Sequence, residues 1–216
     1  IQVRAFDPFE APFPNVELPP IVNACEVIQG GRHPTISLDN RAAAKAMTEH
    51  LIELGHRRIG LIKGPKSSPL TRDRVAGYQD ALRQAGIDCD PALICHGDFS
   101  LKAGDDGAAA MLDLPERPTA LFCENDEMAI GALKRIKQQG LRVPEDISLV
   151  GFDDIPFAKY WDPPVTTIAQ PAEVFGQKAG EMWIALIEKK PLVQRHVVLP
   201  FELTLRGSTA VVQQTT

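Results

Sequence analysis

Short apolar runs alternate with helix-length segments along most of this chain, and this alternation constrains the fold more than any other feature. Each run holds four or five mostly apolar residues, and the segment after it carries apolar residues at helical spacing. Buried strands alternating with helices of about 10–15 residues are typical of β-α-β units. The sequence therefore predicts an α/β fold with doubly wound parallel sheets. Strands are predicted at 20–24, 35–38, 58–62, 92–95, 119–123, 146–150 and 197–205, and helices at 41–54, 74–85, 101–112, 127–139 and 172–189.

Residues with capping preferences mark the ends of several predicted helices. Asp39 or Asn40 can cap the first helix, and Gly55 suits the left-handed conformation that ends it. Ser100 can cap the third helix. His56 follows Gly55, so we expect it to close the first helix and to interact with the helix dipole.

Composition and charge exclude several classes of protein. The chain has 216 residues, 44% of them hydrophobic and 24% charged, and a net charge of −5, which is typical of a globular protein. A negative chain is a poor direct binder of phosphate backbones, and no apolar run is long enough to span a membrane. The start has no secretion-signal pattern and no Met, which predicts a processed or truncated chain. No pair of its cysteines has C-x-x-C spacing, so we expect reduced, buried thiols at Cys25, Cys89, Cys95 and Cys123.

Four polar or aromatic residues follow the carboxyl ends of four predicted strands. They are Arg74, Phe99, Asn125 and Asp153. Parallel strands bring these ends to one rim, where ligands of open α/β sheets bind. Arg74 offers a planar fork of donors, Asp153 an acceptor carboxylate, Asn125 an amide and Phe99 an aromatic ring. Such a set of groups suits a polyhydroxylated or heterocyclic small molecule. Because one of Asn125 and Asp126 is expected to cap the next helix, we assign the cap to Asp126 and the cleft-facing role to Asn125.

Each rim residue also has a purely structural interpretation. Arg74 could be a solvated charge on a first helical turn, and Phe99 could belong to the core, as most Phe residues do. Asp153 could simply begin a loop. A stiff, proline-bounded segment of β-branched residues at 165–168 ends near the amide of Gln170 and reads as a hinge beside the same cleft.

Motifs for catalysis and for metal binding are missing from the sequence. The five histidines have no paired metal spacing, and neither G-x-G-x-x-G nor G-x-x-x-x-G-K-[ST] occurs. Asp126, Asp153 and Asp154 could hold a metal in an enzyme, but no nucleophile–base pair accompanies them. We therefore predict no enzyme activity, no cofactor and no metal.

Six ordered blocks resemble the effector-binding core of lactose-repressor (LacI/GalR) family transcription regulators. The similarity runs from about residue 18 to 209, and segments 19–26, 68–70 and 122–123 look closest to the cytidine-repressor branch of the family. The blocks are 53–60 (ELGHRRIG), 74–78 (RVAGY), 97–99 (GDF), 118–132 (PTALFCENDEMAIGA), 140–153 (GLRVPEDISLVGFD) and 166–171 (TTIAQP).

The resemblance implies a two-lobed, periplasmic-binding-protein-like fold that holds a small-molecule effector between its lobes. It implies a cytoplasmic, homodimeric repressor that binds operator DNA through a helix-turn-helix head. That head and the opening of the N-terminal lobe are absent from this sequence, so we expect a longer or clipped polypeptide. Residues that match the family's effector contacts are Arg74, Phe99, Asn125, Asp153 and Gln170, with Asn23, Ser68 and Leu70 as further candidates.

The same resemblance predicts how the chain divides between the lobes. Segments 1–38 and 169–195 would belong to the N-terminal lobe, 39–168 and 196–209 to the C-terminal lobe, and 210–216 to a tail. The three crossovers would fall near 37–40, 165–169 and 195–198. A nucleoside is the preferred effector, with Phe99 stacking the base, and a sugar is the alternative. A periplasmic solute-binding protein for a transporter is the competing function, because it would share the fold and the cleft.

Overall fold

The computed structural model describes residues 19–25 and 33–212. Segments 1–18, 26–32 and 213–216, which include most of the predicted opening part of the first lobe and the end of the predicted tail, lie outside the described residues. The helices are α1 (Asn40–Glu53), α2 (Pro69–Gln84), α3 (Leu101–Leu112), α4 (Asp126–Gln138) and α5 (Ala172–Ile187). The strands are β1 (Asn23–Ala24), β2 (Thr35–Leu38), β3 (Ile59–Lys63), β4 (Ile94–His96), β5 (Ala120–Cys123), β6 (Ser148–Val150), β7 (Thr167–Ala169), β8 (His196–Leu199) and β9 (Glu202–Thr204).

A four-stranded parallel sheet forms the centre of the larger unit, with strand order β4-β3-β5-β6. Helices α1 and α2 pack against each other on one face, and α3 and α4 pack against each other on the other. Since consecutive strand residues point to opposite faces, Leu61 and Phe122 join the core under α1 and α2, while Ile62 and Cys123 join the core under α3 and α4. The predicted α/β fold with a doubly wound parallel sheet is confirmed.

A smaller parallel sheet has the order β1-β2-β8, and α5 packs on it. Strand β8 pairs with β2 from Thr35↔His196 to Leu38↔Leu199. We predicted that the C-terminal lobe resumes at residue 196. Residues 196–199 instead pair with β2, which lies in the segment that we assigned to the N-terminal lobe. The chain passes between the two sheets just after β2, where α1 begins, and again around β7 and β9, which form an antiparallel pair.

Three local predictions differ from the structure for identifiable reasons. Helix α2 begins at Pro69, five residues before the predicted start at 74, because proline is preorganised for the first helical position. The single strand predicted at 197–205 is two strands, with Pro200 and Phe201 between them. No disulfide joins the four cysteines, but only Cys123 is buried, while Cys25 and Cys89 are exposed and Cys95 is half-buried.

The structure gives His56 a different role from the predicted one. Its backbone N–H donates to the carbonyl of Leu51 and so helps to close the end of α1, but its side chain is buried. Nδ1 lies 2.9 Å from the Thr119 hydroxyl, and Nε2 lies 3.0 Å from the Ser148 hydroxyl and 3.1 Å from the Ala210 carbonyl. Burial lowers the pKa of His56, which favours the neutral ring. The side chain thus connects the starts of β5 and β6 to the C-terminal segment, whereas the prediction had it interact with a helix dipole.

Candidate functional site

Arg74 is the centre of the polar group at the carboxyl ends of the central strands. It lies on α2 and is almost fully buried, with 2% of its surface exposed. Nε donates to Asn40 Oδ1 at 2.9 Å, and Nη1 donates to the backbone carbonyl of Glu124. The guanidinium also stacks 3.6 Å above the ring centroid of Phe152. A buried Arg held by two acceptors and a ring has a fixed orientation, so it is not a solvated surface charge.

Asp153 lies next to Arg74, in the turn that follows β6. Its φ of 112° lies in a region that L-residues rarely adopt. Its backbone N–H donates a 2.9 Å hydrogen bond to the backbone carbonyl of Ile168. Asp153 Oδ1 lies 3.7 Å from Arg74 Nη2 and accepts a 2.5 Å hydrogen bond from Gln170 Nε2. Such backbone strain concentrates at functional sites, where surrounding contacts maintain it.

Protein surrounds most of the Asp153 carboxylate, yet 31% of its side chain remains exposed. Burial raises the pKa of Asp153, while the charge of Arg74 and the Gln170 hydrogen bond act in the opposite direction. The carboxylate is therefore oriented by two residues and still open to a donor from outside.

Asn125 and Phe99 form the next part of the rim. Asn125 is the N-cap of α4, because its Oδ1 accepts from the Met128 N–H at 2.9 Å. Its Nδ2 donates to the Phe99 carbonyl at 2.9 Å. Phe99 has a φ of 68° and is half-buried against the core under α3 and α4. The prediction that Asp126 caps the helix is wrong, since Asn125 caps α4 and also holds the Phe99 loop.

Asp126 is fully buried and makes three bonds to segments beyond β6. Its backbone N–H donates to the backbone carbonyl of Phe152. Its carboxylate accepts from the Thr167 hydroxyl at 2.6 Å and from the Ile155 N–H at 2.9 Å. Burial raises the pKa of Asp126 to about 7, against the effect of these donors. Sequence reasoning missed this role because Thr167 is 41 residues away.

Glu124 is a second buried carboxylate that the sequence analysis did not single out. It is completely shielded from solvent, and its Oε2 accepts from the Gly64 N–H at 2.9 Å. Burial raises the pKa of Glu124 to about 7, although the Gly64 N–H, the charge of Arg74 and the neighbouring Thr71 hydroxyl favour its ionised form. A Glu at the end of an apolar strand was the available signal, since such a position places a charge at the rim.

The remaining candidates lie at two different places. Ser68 and Leu70 are buried at the start of α2, where Ser68 occupies the N-cap position without a side-chain cap bond. Asn23 lies on β1 in the smaller sheet, where its backbone N–H donates to Pro34 at 2.9 Å. Within the described residues, no hydrogen bond connects Asn23 with the Arg74 group. The structure thus brings Arg74, Phe99, Asn125, Asp153 and Gln170 together, with the start of α2 on the same edge.

The described part of the chain contains no group of three or more His, Cys, Asp or Glu side chains placed to hold a metal ion. Within the same residues, no helix has the length and apolar character needed to cross a membrane. The residues of the site that the structure does show are hydrogen-bonding side chains, Arg74, Asp153, Asn125 and Gln170, near the Phe99 ring.

Comparison with known proteins agrees with this architecture. The sequence profile of the periplasmic binding protein-like domain family matches residues 48–209. The chain belongs to this family. It is 44% identical over 192 residues to the HTH-type transcriptional repressor CytR of Escherichia coli K12, a match that covers 89% of this chain and 56% of CytR. The chain thus spans about half the length of the curated relatives that it matches.

Solved structures of transcription regulators share the fold. The transcription regulator CcpA of Lactococcus lactis superposes with a TM-score of 0.83 at 29% identity, covering 88% of this chain and 69% of CcpA. A complex of the transcriptional regulator CelR with cellobiose gives a TM-score of 0.81 at 32% identity, covering 87% of this chain and 58% of CelR. The chain is a LacI/GalR-type effector-binding core that resembles the core of CytR, as the sequence motifs predicted.

Proposed function

We propose that this chain is the effector-sensing and dimerising core of a transcription repressor. In the whole protein, a small molecule bound between two lobes would control DNA binding by a helix-turn-helix head. The observation that carries the proposal is the Arg74–Asp153–Gln170 array. It joins α2, the turn after β6 and the crossover after β7, so it links the body of one lobe to the segment that leads to the other.

The array suggests how binding would be transmitted. Asp153 Oδ1 is already engaged by Gln170, and a ligand hydroxyl that donates to the same carboxylate would compete with or reinforce that bond. The backbone of Asp153 is also attached to Ile168 in the crossover. A ligand that prefers one arrangement of these contacts shifts the equilibrium between two states, with a coupling of about 1–3 kcal/mol in typical allosteric proteins.

The charges around Arg74 favour a neutral, donor-rich effector. The Arg74 guanidinium faces the Asp153 carboxylate, with Nη2 3.7 Å from Oδ1, so its charge is already paired and an additional anion such as a phosphate would gain little attraction. Ribose hydroxyls could donate to Asp153 and accept from Arg74, and the Phe99 ring offers a face for a base. We therefore infer a nucleoside effector, with a sugar as the second candidate because CelR was solved with cellobiose.

An exposed aromatic surface supports the dimeric state. Phe157, Tyr160 and Trp161 follow the site turn and border a groove on α4 beside Leu133 and Lys137. Phe157 is 68% and Tyr160 75% exposed, and clustered exposed aromatics of this kind mark protein interaction sites. We expect Tyr160→Lys to convert a dimer into a monomer in light scattering after gel filtration. Val193→Lys, at a position that is even more exposed, should leave the dimer intact.

We infer a non-enzymatic role in the cytoplasm. CytR is a transcriptional repressor, and the Arg74 group contains no nucleophile–base pair. Cys89 is exposed and forms no disulfide, which suits a reducing compartment better than the export that a solute-binding protein requires.

Thermal unfolding with a panel of ligands tests the proposal. The panel contains cytidine, uridine, adenosine, ribose and common hexoses. A ligand at 100 times its dissociation constant stabilises the folded chain by about 2.7 kcal/mol, which is roughly 5–10 °C at this size. The shift should disappear in Asp153→Ala and persist in Asp113→Ala, an exposed carboxylate at the end of α3. A shift that survives Asp153→Ala would place the effector elsewhere, and no shift with any ligand would contradict the proposal.

A further inference from the structure

Two consecutive residues of the turn after β6 have backbone conformations that L-residues rarely adopt. Asp153 has a φ of 112° and Asp154 has a φ of 55°. Conformations of this kind persist only where the surrounding contacts maintain them. Because the Asp153 carboxylate belongs to the proposed effector site, the contacts that maintain the turn also influence where that carboxylate points.

The side chain of Arg206, just after β9, supplies such contacts. Its Nη2 lies 2.6 Å from Asp154 Oδ1, and its Nη1 donates to the backbone carbonyl of Val165 at 2.9 Å. The backbone N–H of Arg206 donates to the Thr166 hydroxyl at 2.9 Å. The side chains of Arg206 and Asp154 are both mostly buried, so this ion pair is shielded from water more than a surface pair.

Arg206 thereby closes the base of the loop that runs from Asp154 to Val165. One guanidinium is bonded to the first and to the last residue of this loop. The Val165 N–H donates to the Ala158 carbonyl at 2.9 Å, so the end of the loop is also bonded to its interior. An Arg suits this position, because its planar fork presents two nitrogens to two acceptors, whereas a Lys has only one nitrogen.

The two crossover strands hold neighbouring residues of the turn. The Asp153 backbone N–H donates to Ile168 in β7, and its carboxylate accepts from Gln170, which follows β7. Asp154 is bound by Arg206, which follows β9. Since β7 and β9 pair in antiparallel fashion, they grip adjacent carboxylates as one unit. Loss of the contact with Asp154 would leave the turn attached through Asp153 alone.

An Arg–Asp pair can also serve only to stabilise a fold, and a second pair in this chain provides the comparison. Arg142 Nε lies 2.9 Å from Asp146 Oδ2 in the segment that precedes β6. That pair therefore lies at the amino end of the strand, and the pair of Arg206 and Asp154 lies at the carboxyl end, next to Asp153. A purely structural pair would affect the free energy of unfolding and not the affinity of the folded protein for a ligand.

We propose that Arg206 is a positioning residue of the effector site. By joining Asp154 to Val165, it fixes the base of the loop and keeps the neighbouring Asp153 carboxylate directed at Arg74 and the cleft. In this role Arg206 acts through the turn and makes no contact with the effector. The inference rests on the proposed function, because Asp153 is the group that the effector would contact.

Titration calorimetry on the 216-residue chain tests the effect on affinity, with cytidine, adenosine and ribose as separate probes. For each probe that binds, Arg206→Gln should weaken binding about tenfold or more, because apparent affinity falls with the fraction of molecules that keep the binding conformation. Arg142→Gln is the matched control, and it should change the affinity by less than about twofold, since exposed ion pairs contribute little.

Variants of Asp154 separate the bond from the charge. Asp154→Asn retains an oxygen that accepts from Arg206, and Asn tolerates a positive φ. It should therefore keep the affinity within about threefold, because a neutral hydrogen bond is about half as strong as a charged one. Asp154→Ala loses both the acceptor and the tolerance of a positive φ, so it should weaken binding as much as Arg206→Gln does.

Hydrogen exchange in the ligand-free chain shows where the effect acts. The Asp153 amide donates to Ile168, and the Glu124 amide donates to Ile62 in the central sheet. In Arg206→Gln the Asp153 amide should exchange about tenfold faster or more, through local opening, while the Glu124 amide keeps its rate within about twofold. Equal acceleration of both amides would mean a general loss of stability and would overturn the positioning role.

The outcomes distinguish the positioning role from the wider proposal. An affinity that stays within about twofold in folded Arg206→Gln overturns the positioning role and leaves the effector-sensing core intact. If Arg206→Gln does not fold by circular dichroism, Asp154→Ala takes its place, and equal affinities of Asp154→Ala and Asp154→Asn then overturn the inference. Absence of binding of every probe to the unaltered chain overturns both proposals.

Discussion

Helices α4 and α5 are both amphipathic, yet they are buried to very different degrees. Helix α4 has 13 residues and buries eight of them, whereas α5 has 16 residues and buries only Phe175 and Met182. Helix α4 packs both on the four-stranded sheet and against α3, while α5 packs on the short β1-β2-β8 sheet. The comparison shows that an apolar stripe becomes core only where a second layer covers it.

The exposed side of α5 keeps an apolar character that α4 does not show. The exposed fractions of Val174, Trp183, Ile184 and Ile187 lie between 40% and 52%. The indole N–H of Trp183 donates a 2.9 Å hydrogen bond to the Pro20 carbonyl. Segments with little buried apolar surface unfold locally at low free energy, so we expect α5 to be the less stable of the two helices.

Replacing the same residue type on both helices should give the largest difference. Ile136 on α4 is 0% exposed and Ile184 on α5 is 52% exposed. Ile136→Ala should lower the free energy of unfolding by about 2–5 kcal/mol because it leaves a cavity. Ile184→Ala should change it by less than about 0.5–1 kcal/mol. Urea denaturation measures both values, and equal losses would mean that α5 is covered in solution.

A glycine on each helix gives the next largest contrast. A Cβ at Gly131 on α4 would overlap the backbone carbonyl of Leu101 on α3, while a Cβ at Gly180 on α5 would meet nothing within 4 Å. Gly131→Ala should cost about 1–3 kcal/mol, because it forces α3 and α4 apart. Gly180→Ala should stabilise the protein by about 0.5–1 kcal/mol, since Ala restricts the unfolded chain. Thermal unfolding should therefore shift in opposite directions, and a gain at Gly131 would contradict the tight packing of α3 against α4.

The acidic residues in the first turns of the two helices should differ in how their contribution to the free energy of unfolding depends on pH. Asp126 on α4 is buried with a pKa of about 7, above its ordinary value of 3.8, whereas Glu173 on α5 is exposed. A carboxyl with a raised folded-state pKa stabilises fully at low pH and loses that contribution between about pH 4 and 7. Asp126→Asn should therefore cost about 1–3 kcal/mol at pH 5. That cost should shrink by up to about 2–3 kcal/mol by pH 8.

Glu173→Gln serves as the matched control for this measurement. It should change the free energy of unfolding by no more than about 0.5 kcal/mol at pH 5 and at pH 8. Denaturation series at pH 5 and at pH 8 measure the free energy of unfolding of both variants. A cost for Asp126→Asn that grows with pH would mean that the carboxylate is ionised at low pH and that its hydrogen bonds outweigh its burial.

The fold was more predictable than the details of the site. The strand–helix alternation and the helix N-caps depend on neighbouring residues. The structure has the predicted Ser100 cap, and of the two residues predicted for the first helix, Asp39 or Asn40, Asp39 is the cap. The choice between Asn125 and Asp126 was predicted wrongly because either side chain can cap a helix. Thr167 and Ile155 engage Asp126, and no property of the local sequence indicates those two partners.

The sequence by itself determined the order of the elements, the parallel sheet and the rim at which Arg74, Phe99, Asn125 and Asp153 meet. Periodicity and the geometry of parallel strands need only local information to place these residues on one edge. Tertiary structure alone decided that Glu124 is buried beside Gly64, that Gln170 holds Asp153, and that α5 remains half-covered. Burial and hydrogen-bond partners depend on segments that are distant in sequence, so the charge states and specificity of the site follow from packing.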